Sequence, residues 1–408
     1  MTTLDDGRQV AARGFYPLLA TRLSSVAATG VYFIAAAWLL IDQGGNSTEV
    51  AGLAIAMTVP SVLAALQGGV LIDRHDRRRI GQIAELARVG AVFALAVLHS
   101  TTSLTLWHVY AITLVLGLGN AVTLPCYGAM LPQVLPRHKL VRGNAIWQIA
   151  TQVGGIAASA LGGLLVGGGG VGIGLYTAAL CYLAAAVALQ LVPAAASPAV
   201  AAESSRSGVW HDLAVAARSI ARDRVHLLVT VFSILPPSVL AASNALLPVF
   251  TKERLGAGPV GFGLLEGVWG GGALLAGIAI SRLAGRITDE LRLLVHSLLA
   301  IATTMLVFSL ITQLSYSLPA SLLLGLSISC SGILFPAYVQ ARTEEAVLGR
   351  VLSGIQFASS IVQLLMLAAI GVGGAFAPAW SMFAALALIT LLTAVLLSVL
   401  VRRTRVMA

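Results

Sequence analysis

Apolar residues in this chain come in long blocks rather than in alternation or in narrow amphipathic stripes. Twelve blocks stand out, near 16–41, 50–72, 80–99, 105–131, 142–166, 171–192, 225–250, 260–282, 290–312, 318–340, 350–373 and 378–401. At about 1.5 Å per residue, roughly twenty apolar residues cross a hydrocarbon core of about 30 Å as a helix. The pattern predicts an all-α integral membrane protein of twelve transmembrane helices. Between the sixth and seventh blocks, "PAAASPAVAAESSRSG" has the Ala, Ser and Pro content of a linker. The stretch after it, "VWHDLAVAARSIARDRV", carries Arg218, Arg222 and Arg224 at helical spacing and reads as an amphipathic helix on the membrane surface. The expected organisation is a six-helix bundle over 1–192, a cytoplasmic linker with its amphipathic helix over 193–224, and a second six-helix bundle over 225–408.

The charges that interrupt the blocks set an orientation. Short cytoplasmic loops carry the excess of Lys and Arg. One set of ends holds Arg8 and Arg13, the cluster at 74–79, Arg137, Lys139 and Arg142, and Arg206 to Arg224. It also holds Arg282, Arg286, Arg292, Arg342, Arg350 and Arg402 to Arg405, whereas the opposite loops offer only Lys252 and Arg254. Both termini are therefore expected in the cytoplasm. Trp38, Trp107, Tyr316 and Trp380 fall near the outer ends, where amphipathic rings sit at the membrane interface.

Composition agrees: 58% of residues are hydrophobic and 10% charged, against about 25% charged in a soluble domain. The net charge of +9 lies in membrane loops and calls for no nucleic acid. The polar first fifteen residues argue against a cleavable signal peptide. Cys126, Cys181 and Cys330 all lie inside apolar blocks, without metal or redox spacing. No nucleotide-binding glycine loop, metal-ligand cluster or nucleophile–base spacing is present, so the reading is no enzyme, no catalytic residues, no metal and no cofactor.

The chain also repeats itself. At an offset of 208 residues Gly69 meets Gly277, Arg74 meets Arg282, Gly117 meets Gly325, Arg142 meets Arg350 and Gln148 meets Gln356. Five matches at one offset, joining corresponding helices, argue for two copies related by an axis along the membrane normal. Transporters built this way bind cargo between the copies near the midplane.

"GGVLIDRHDRR", residues 68–78, resembles the loop 2–3 signature of the major facilitator superfamily. With Glu85-Leu-Ala-Arg88 after it, and with "LPQVLPRHKLVRGNAI" and "VLGRVLSGIQ" further on, the chain is similar to the bacterial branch that includes the enterobactin exporter and macrolide-efflux proteins. The resemblance covers nearly the whole chain and implies the major facilitator fold. It also implies that the loop after Gly69 lies against the start of the eleventh helix, "LGRVLSG", with Gly349 and Arg350. Free N–H groups and a positive dipole end there favour the Asp73 carboxylate as a latch. Arg74, Arg77 and Arg78 would hold that aspartate ionised, and Glu85 and Arg88 would complete the gate. In the second copy Asp73 becomes Ser281, which carries no charge.

Ionisable residues inside spans are costly and are functional candidates. Arg22 lies about 10 Å into the first helix, where snorkelling to the cytoplasm explains it equally well. The proton-coupling candidates are Glu266, Glu85 and Asp42. Glu266 leads, because it lies inside a span with no basic residue within one turn, whereas Arg88 neighbours Glu85 and water bathes Asp42. The cavity candidates are Arg22, Tyr32, Asn120, Trp147, Gln148, Gln152, Asn244, Gln356, Phe357 and Gln363. Two departures weaken the match to proton-coupled exporters of the superfamily. Thr113 stands where they often carry arginine, and Ser159-Ala160 stands where Gly-Pro is usual in "GGIAASALGG".

The function that follows is export of a small amphipathic molecule, siderophore or drug-like, by alternating access and proton antiport. The setting is a bacterial inner membrane. Lipid, cargo and protons are the partners, nucleic acid is not, and the chain works as a monomer. The alternatives are a lipid or lysolipid flippase of the same fold and a non-transporting receptor or assembly factor. Asp73→Asn tests the latch: losing a charge at a helix dipole removes about 0.3–2 kcal/mol, up to about thirtyfold in a two-state population. Transport in vesicles is expected to fail with expression nearly normal; undiminished transport removes the latch.

Overall fold

The computed structural model describes residues 2–67, 76–101, 104–136, 139–193, 218, 220, 221, 223–283 and 290–407. Among these residues the chain is helical throughout, with short connections and no strand. In chain order the helices are α1 (Thr2–Asp42), α2 (Ser47–Gln67), α3 (Arg77–Ser100), α4 (Leu106–Val134), α5 (Leu140–Gln190) and α6 (Arg224–Phe232). Then follow α7 (Leu235–Glu253), α8 (Pro259–Leu283), α9 (Glu290–Leu310), α10 (Leu314–Arg342), α11 (Glu345–Gly373) and α12 (Ala379–Met407).

Among the described residues ten helical segments are long and apolar enough to cross a membrane, and Ser47–Leu63 is a shorter apolar one. Residues 140–190 run as one helix in hydrogen bonding, but Gly170 at φ 82° and ψ 169° breaks the helical path. Glycine alone adopts that backbone without strain, so one continuous element supplies the expected fifth and sixth crossings. The seventh crossing is divided in the other sense, into α6 and α7. Pro236 and Pro237 at the start of α7 lack N–H donors and so start a new helix rather than extend the old one. The first helix begins at Thr2, well before the apolar block that predicted it.

The chain forms two compact units: residues 1–43 with 56–204, and residues 44–55 with 205–408. Helix α2 is shared, its first part belonging to the second unit. It starts with a reciprocal cap in which Thr48 N donates to Asn46 Oδ1 and Asn46 N donates to Glu49 Oε2, both at 2.7 Å. Within the second unit, Thr48 Oγ1 donates to the Gly371 carbonyl at 2.7 Å.

The first unit is organised on α1, whose residues from Val31 to Ile41 are almost entirely buried. The first half of α5, before Gly170, runs parallel to it at close range. Gly154 faces the Leu23 backbone, Gly30 faces Ala158, and Gly162 faces Val31 and Ile34. Small residues let helix backbones approach in lipid, where no hydrophobic effect drives them together. The "GGIAASALGG" stretch therefore keeps a packing role without its Gly-Pro. Trp38 is buried at 4% exposure, a correction to its reading as an interfacial ring; Trp107 and Tyr316 are exposed.

The second unit is held by α8 against α10 and by an aromatic cluster. Phe250, Phe308 and Phe383 have ring centroids 4.9–5.4 Å apart and join α7, α9 and α12. Ser331 Oγ donates to Ser297 Oγ at 2.8 Å between α10 and α9. Ser321 Oγ donates to the Leu265 carbonyl at 2.7 Å between α10 and α8.

The sequence repeat has a physical counterpart. A Cβ on Gly117 would come within 2.6 Å of the Met57 carbonyl, because α4 crosses α2 at that glycine. A Cβ on Gly325 would overlap the Trp269 carbonyl, because α10 crosses α8 there. Matched glycines thus serve matched crossings. Gly325→Ala is expected to destabilise the protein by about 1–3 kcal/mol through overpacking against backbone. Gly277→Ala, with open space around it, should stay near wild type. The check is the temperature at which each detergent-solubilised variant loses its monodisperse peak; equal temperatures contradict the crossing.

Candidate functional site

The charged network lies inside the first unit, where α3 presents two ionisable residues one turn apart. Glu85 and Arg88 both have side chains at 0% exposure, with Arg88 Nη2 and Glu85 Oε1 3.1 Å apart. A carboxylate or a guanidinium alone at that depth would be very costly, so the pair is held by its mutual charge and by further hydrogen bonds.

Those bonds come from α1 and α4, and α5 adds an aromatic face. Arg88 Nη2 also donates to Thr123 Oγ1 at 2.7 Å, and Arg88 Nη1 donates to Asn120 Oδ1 at 3.2 Å and to Ser25 Oγ at 3.3 Å. The guanidinium carbon stands 5.0 Å from the centre of the Tyr182 ring, within cation–π range. Tyr127 donates its hydroxyl proton to Glu85 Oε1 in a short hydrogen bond. Glu85 Oε2 and Arg88 Nε are buried and have no hydrogen-bond partner among the described residues. The Tyr182 hydroxyl is 2.9 Å from Thr29 Oγ1, which ties the second half of α5 to α1.

Gly119 makes the arrangement fit. Arg88 lies across it, and a Cβ there would come within 2.5 Å of Nε and 2.7 Å of Cδ. Gly119, Thr123 and Tyr127 share one face of α4 at i, i+4, i+8, and Arg22, Ser25 and Thr29 lie along one face of α1. Those stripes inside apolar blocks are the signal by which Ser25, Gly119, Thr123 and Tyr127, unlisted by sequence reasoning, could have been found; Tyr182 has no such signal.

Arg22 stands next to this network. Its Nε donates to Thr151 Oγ1 at 3.1 Å, and its guanidinium carbon is 5.7 Å from the Trp147 ring centre. Trp147 in turn meets Tyr127 edge-on at 6.4 Å.

The remaining sequence candidates are scattered. Tyr32 is fully buried with its hydroxyl 2.6 Å from Thr113 Oγ1, which corrects its reading as a cavity residue. The same contact gives Thr113 a packing role. Gln148 and Gln356 are exposed, and Gln152, Gln363, Asn244, Phe357 and Glu266 are half-buried. Asp42 and Arg350 are exposed. Gly69, Asp73 and Arg74 lie outside the described residues, as do most of the linker and its amphipathic helix and the side-chain position of Gly349. Beside them Asp76 caps α3, accepting from Arg78 N at 2.9 Å, with Arg79 Nε 3.8 Å away at the surface. Arg77 Nη1 donates to the Ala129 carbonyl at 3.4 Å. Ser281 donates to its own helix at Ile278. Glu85 and Arg88, expected at the gate, are instead bonded to groups of the bundle interior. Among the described residues no cluster of three or more His, Cys, Asp or Glu could hold a metal.

Breaking a buried pair leaves one charge uncompensated, at a cost of about 3–5 kcal/mol. Glu85→Gln and Arg88→Met are each expected to lower the unfolding temperature sharply, and the double substitution should recover much of the loss. A double-mutant cycle on purified protein measures the coupling; additive losses contradict the pairing.

The comparisons fit this architecture. The family described as transmembrane secretion effector matches residues 14–407. The multidrug efflux pump Tap of Mycolicibacterium fortuitum is 26% identical over 48% of this chain and 50% of its own length, so the chain matches about half of that relative. Macrolide efflux protein A of Streptococcus pyogenes is 21% identical over 86% of each chain. In fold, the chain is similar to a solved structure of the nucleoside transporter NupG, with TM-score 0.76, 12% identity and coverage of 95% and 99% of the two chains. The chain belongs to the transmembrane secretion effector family of the major facilitator superfamily.

Proposed function

We propose that this chain is a secondary active exporter of a small amphipathic molecule. It works as a monomer by alternating access in a bacterial inner membrane, with both termini in the cytoplasm and inward proton flow as the driving force. Family membership and the efflux relatives supply the transport class. The observation that carries the reading further is the set of polar side chains left accessible within the spans. Gln148 and Gln356, matched by the internal repeat, are both exposed, and Arg22 and Glu266 are half-buried. Amides and charges facing hydrocarbon are costly, so such positions mark surfaces that meet water or cargo.

The carboxylates divide by their surroundings. Glu85 is neutralised by Arg88 and hydrogen-bonded by Tyr127. Asp42 is exposed at the end of α1. Glu266 sits seven residues into α8, about 10 Å from Pro259, and its side chain has no ion pair or hydrogen bond among the described residues. A carboxylate inside a span without a fixed counter-ion suits reversible protonation, and Glu266 is the proton carrier in this reading. Asp73 is the latch in this reading, as the sequence resemblance implies.

Reconstitution in proteoliposomes tests this with amphipathic dyes of positive, neutral and negative charge under an imposed pH step. Wild type is expected to concentrate at least one dye against its gradient, and Glu266→Gln to bind that dye without concentrating it. Accumulation by Glu266→Gln places the proton site elsewhere. Indifference of the wild type to the pH step rejects proton antiport.

A further inference from the structure

Resting on the exporter reading, we infer that Arg22 is the anion-binding residue of the cargo site, and that the exported molecules are amphipathic with an acidic group. The inference starts from where the guanidinium is held. Helices α1 and α5 run parallel, with Leu23 level with Gly154 and Val31 level with Gly162. The Arg22 head is fixed at Trp147 and Thr151, seven and eleven residues beyond Leu140 and so about 10–16 Å up from the start of α5. A snorkelling arginine would place its head near the helix end. This one is bonded sideways, inside the span.

Its bonding is also incomplete. Nε is used by Thr151, and Trp147 covers one face. The two Nη nitrogens make no hydrogen bond or ion pair among the described residues, and neither is a sealed buried atom. Thr151 spends its own proton on the Trp147 carbonyl at 3.0 Å, so it can only accept from Arg22. The remaining Nη fork has the geometry that recognises a carboxylate, phosphate or sulfonate through two parallel hydrogen bonds.

Charge balance selects the same ligand class. Of the three ionised side chains in this region, Glu85 and Arg88 neutralise each other at 3.1 Å. Arg22 is left as the surplus positive charge. A permanent cation in a span calls for a negative partner, and the described residues supply none at its Nη atoms. The adjoining stripe of α5 carries Gln148, exposed, and Gln152, half-buried, one turn apart. Exposed Ile149 and Val153 lie beside them. Amides and apolar surface next to a guanidinium suit a molecule with one acidic group on a largely apolar body.

The sign of proton coupling is consistent with Glu266. The titratable and charged groups around Glu85 are Arg88 on its own helix, Tyr127 on α4, Tyr182 on α5 and Arg22 on α1. A proton on Glu85 would raise the positive charge near Arg22 and hold an anion more tightly, the reverse of what exchange requires. The exchanging proton therefore belongs on a carboxylate away from this network.

The test uses the full chain in phosphatidylcholine nanodiscs, titrated with dansyl-undecanoate and with its methyl ester, and with empty nanodiscs subtracted. Wild type is expected to bind the carboxylate about tenfold or more tightly than the ester, the range of a hydrogen bond to a charged group. Arg22→Gln should remove the preference by weakening the acid far more than the ester, and Arg22→Lys should keep part of it. Equal binding of acid and ester by the wild type, or a preference that survives Arg22→Gln, overturns the inference while leaving an exporter of neutral or cationic molecules standing. Failure of a folded wild-type protein to bind either probe overturns the inference and the amphipathic-cargo reading together.

Discussion

A guanidinium that cannot lose its charge, sealed at 0% exposure inside a membrane bundle, is the constraint on which the first unit depends. Arg88 has to be answered by donors' counterparts on every side, and the answers come from α1, α4 and α5 as well as from Glu85 on its own helix. Each contact restricts where a neighbouring helix can stand. Gly119 is open because Arg88 passes over it, and Tyr182 lies under the charge, which draws the second half of α5 to α1 through Thr29. The parallel packing of α1 on α5 through Gly30, Gly154 and Gly162 follows the same geometry on the next turns. The polar groups around Arg88 are largely spent on it and on one another.

That economy explains how Arg22 differs from Arg88. Both are arginines inside spans of the same unit. One has a carboxylate, an amide, two hydroxyls and an aromatic face; the other has one hydroxyl and one aromatic face. The difference separates a residue that fixes the bundle from one that is available to a ligand. In the second unit the close glycine crossings and the Phe250–Phe308–Phe383 cluster fix the interior, an exposed Arg342–Glu290 pair at 2.8 Å joins α10 to α9, and Glu266 has no ionic partner among the described residues.

Much of the fold was legible in the sequence because the bilayer imposes so simple a pattern. Block lengths gave the crossings, and the 208-residue offset anticipated that Gly117 and Gly325 stand at equivalent helix crossings. Hydrophobicity could not show that Gly170 would turn without ending the hydrogen-bonded run, or that Pro236 and Pro237 would divide a single crossing. The site was less legible. Spacing on one helix brought Glu85 and Arg88 together, but their placement at the gate followed from nearness to the loop arginines in sequence. The bonds to Ser25, Asn120, Thr123 and Tyr127 come from helices remote in the chain, and only three-dimensional packing brings them in. Tyr32 misled for the converse reason: an aromatic in a span looks alike whether it faces a cavity or the core.

The division of labour between the two arginines can be measured without knowing the cargo. Phenylglyoxal, which crosses membranes and modifies accessible guanidinium groups, would be applied to the full chain in nanodiscs, and modified peptides counted by mass spectrometry over time. The account predicts that Arg22 is modified while Arg88 stays intact until the protein is unfolded. Modification of Arg88 at the rate of Arg22, or an Arg22 that is inert in the folded protein, would contradict it.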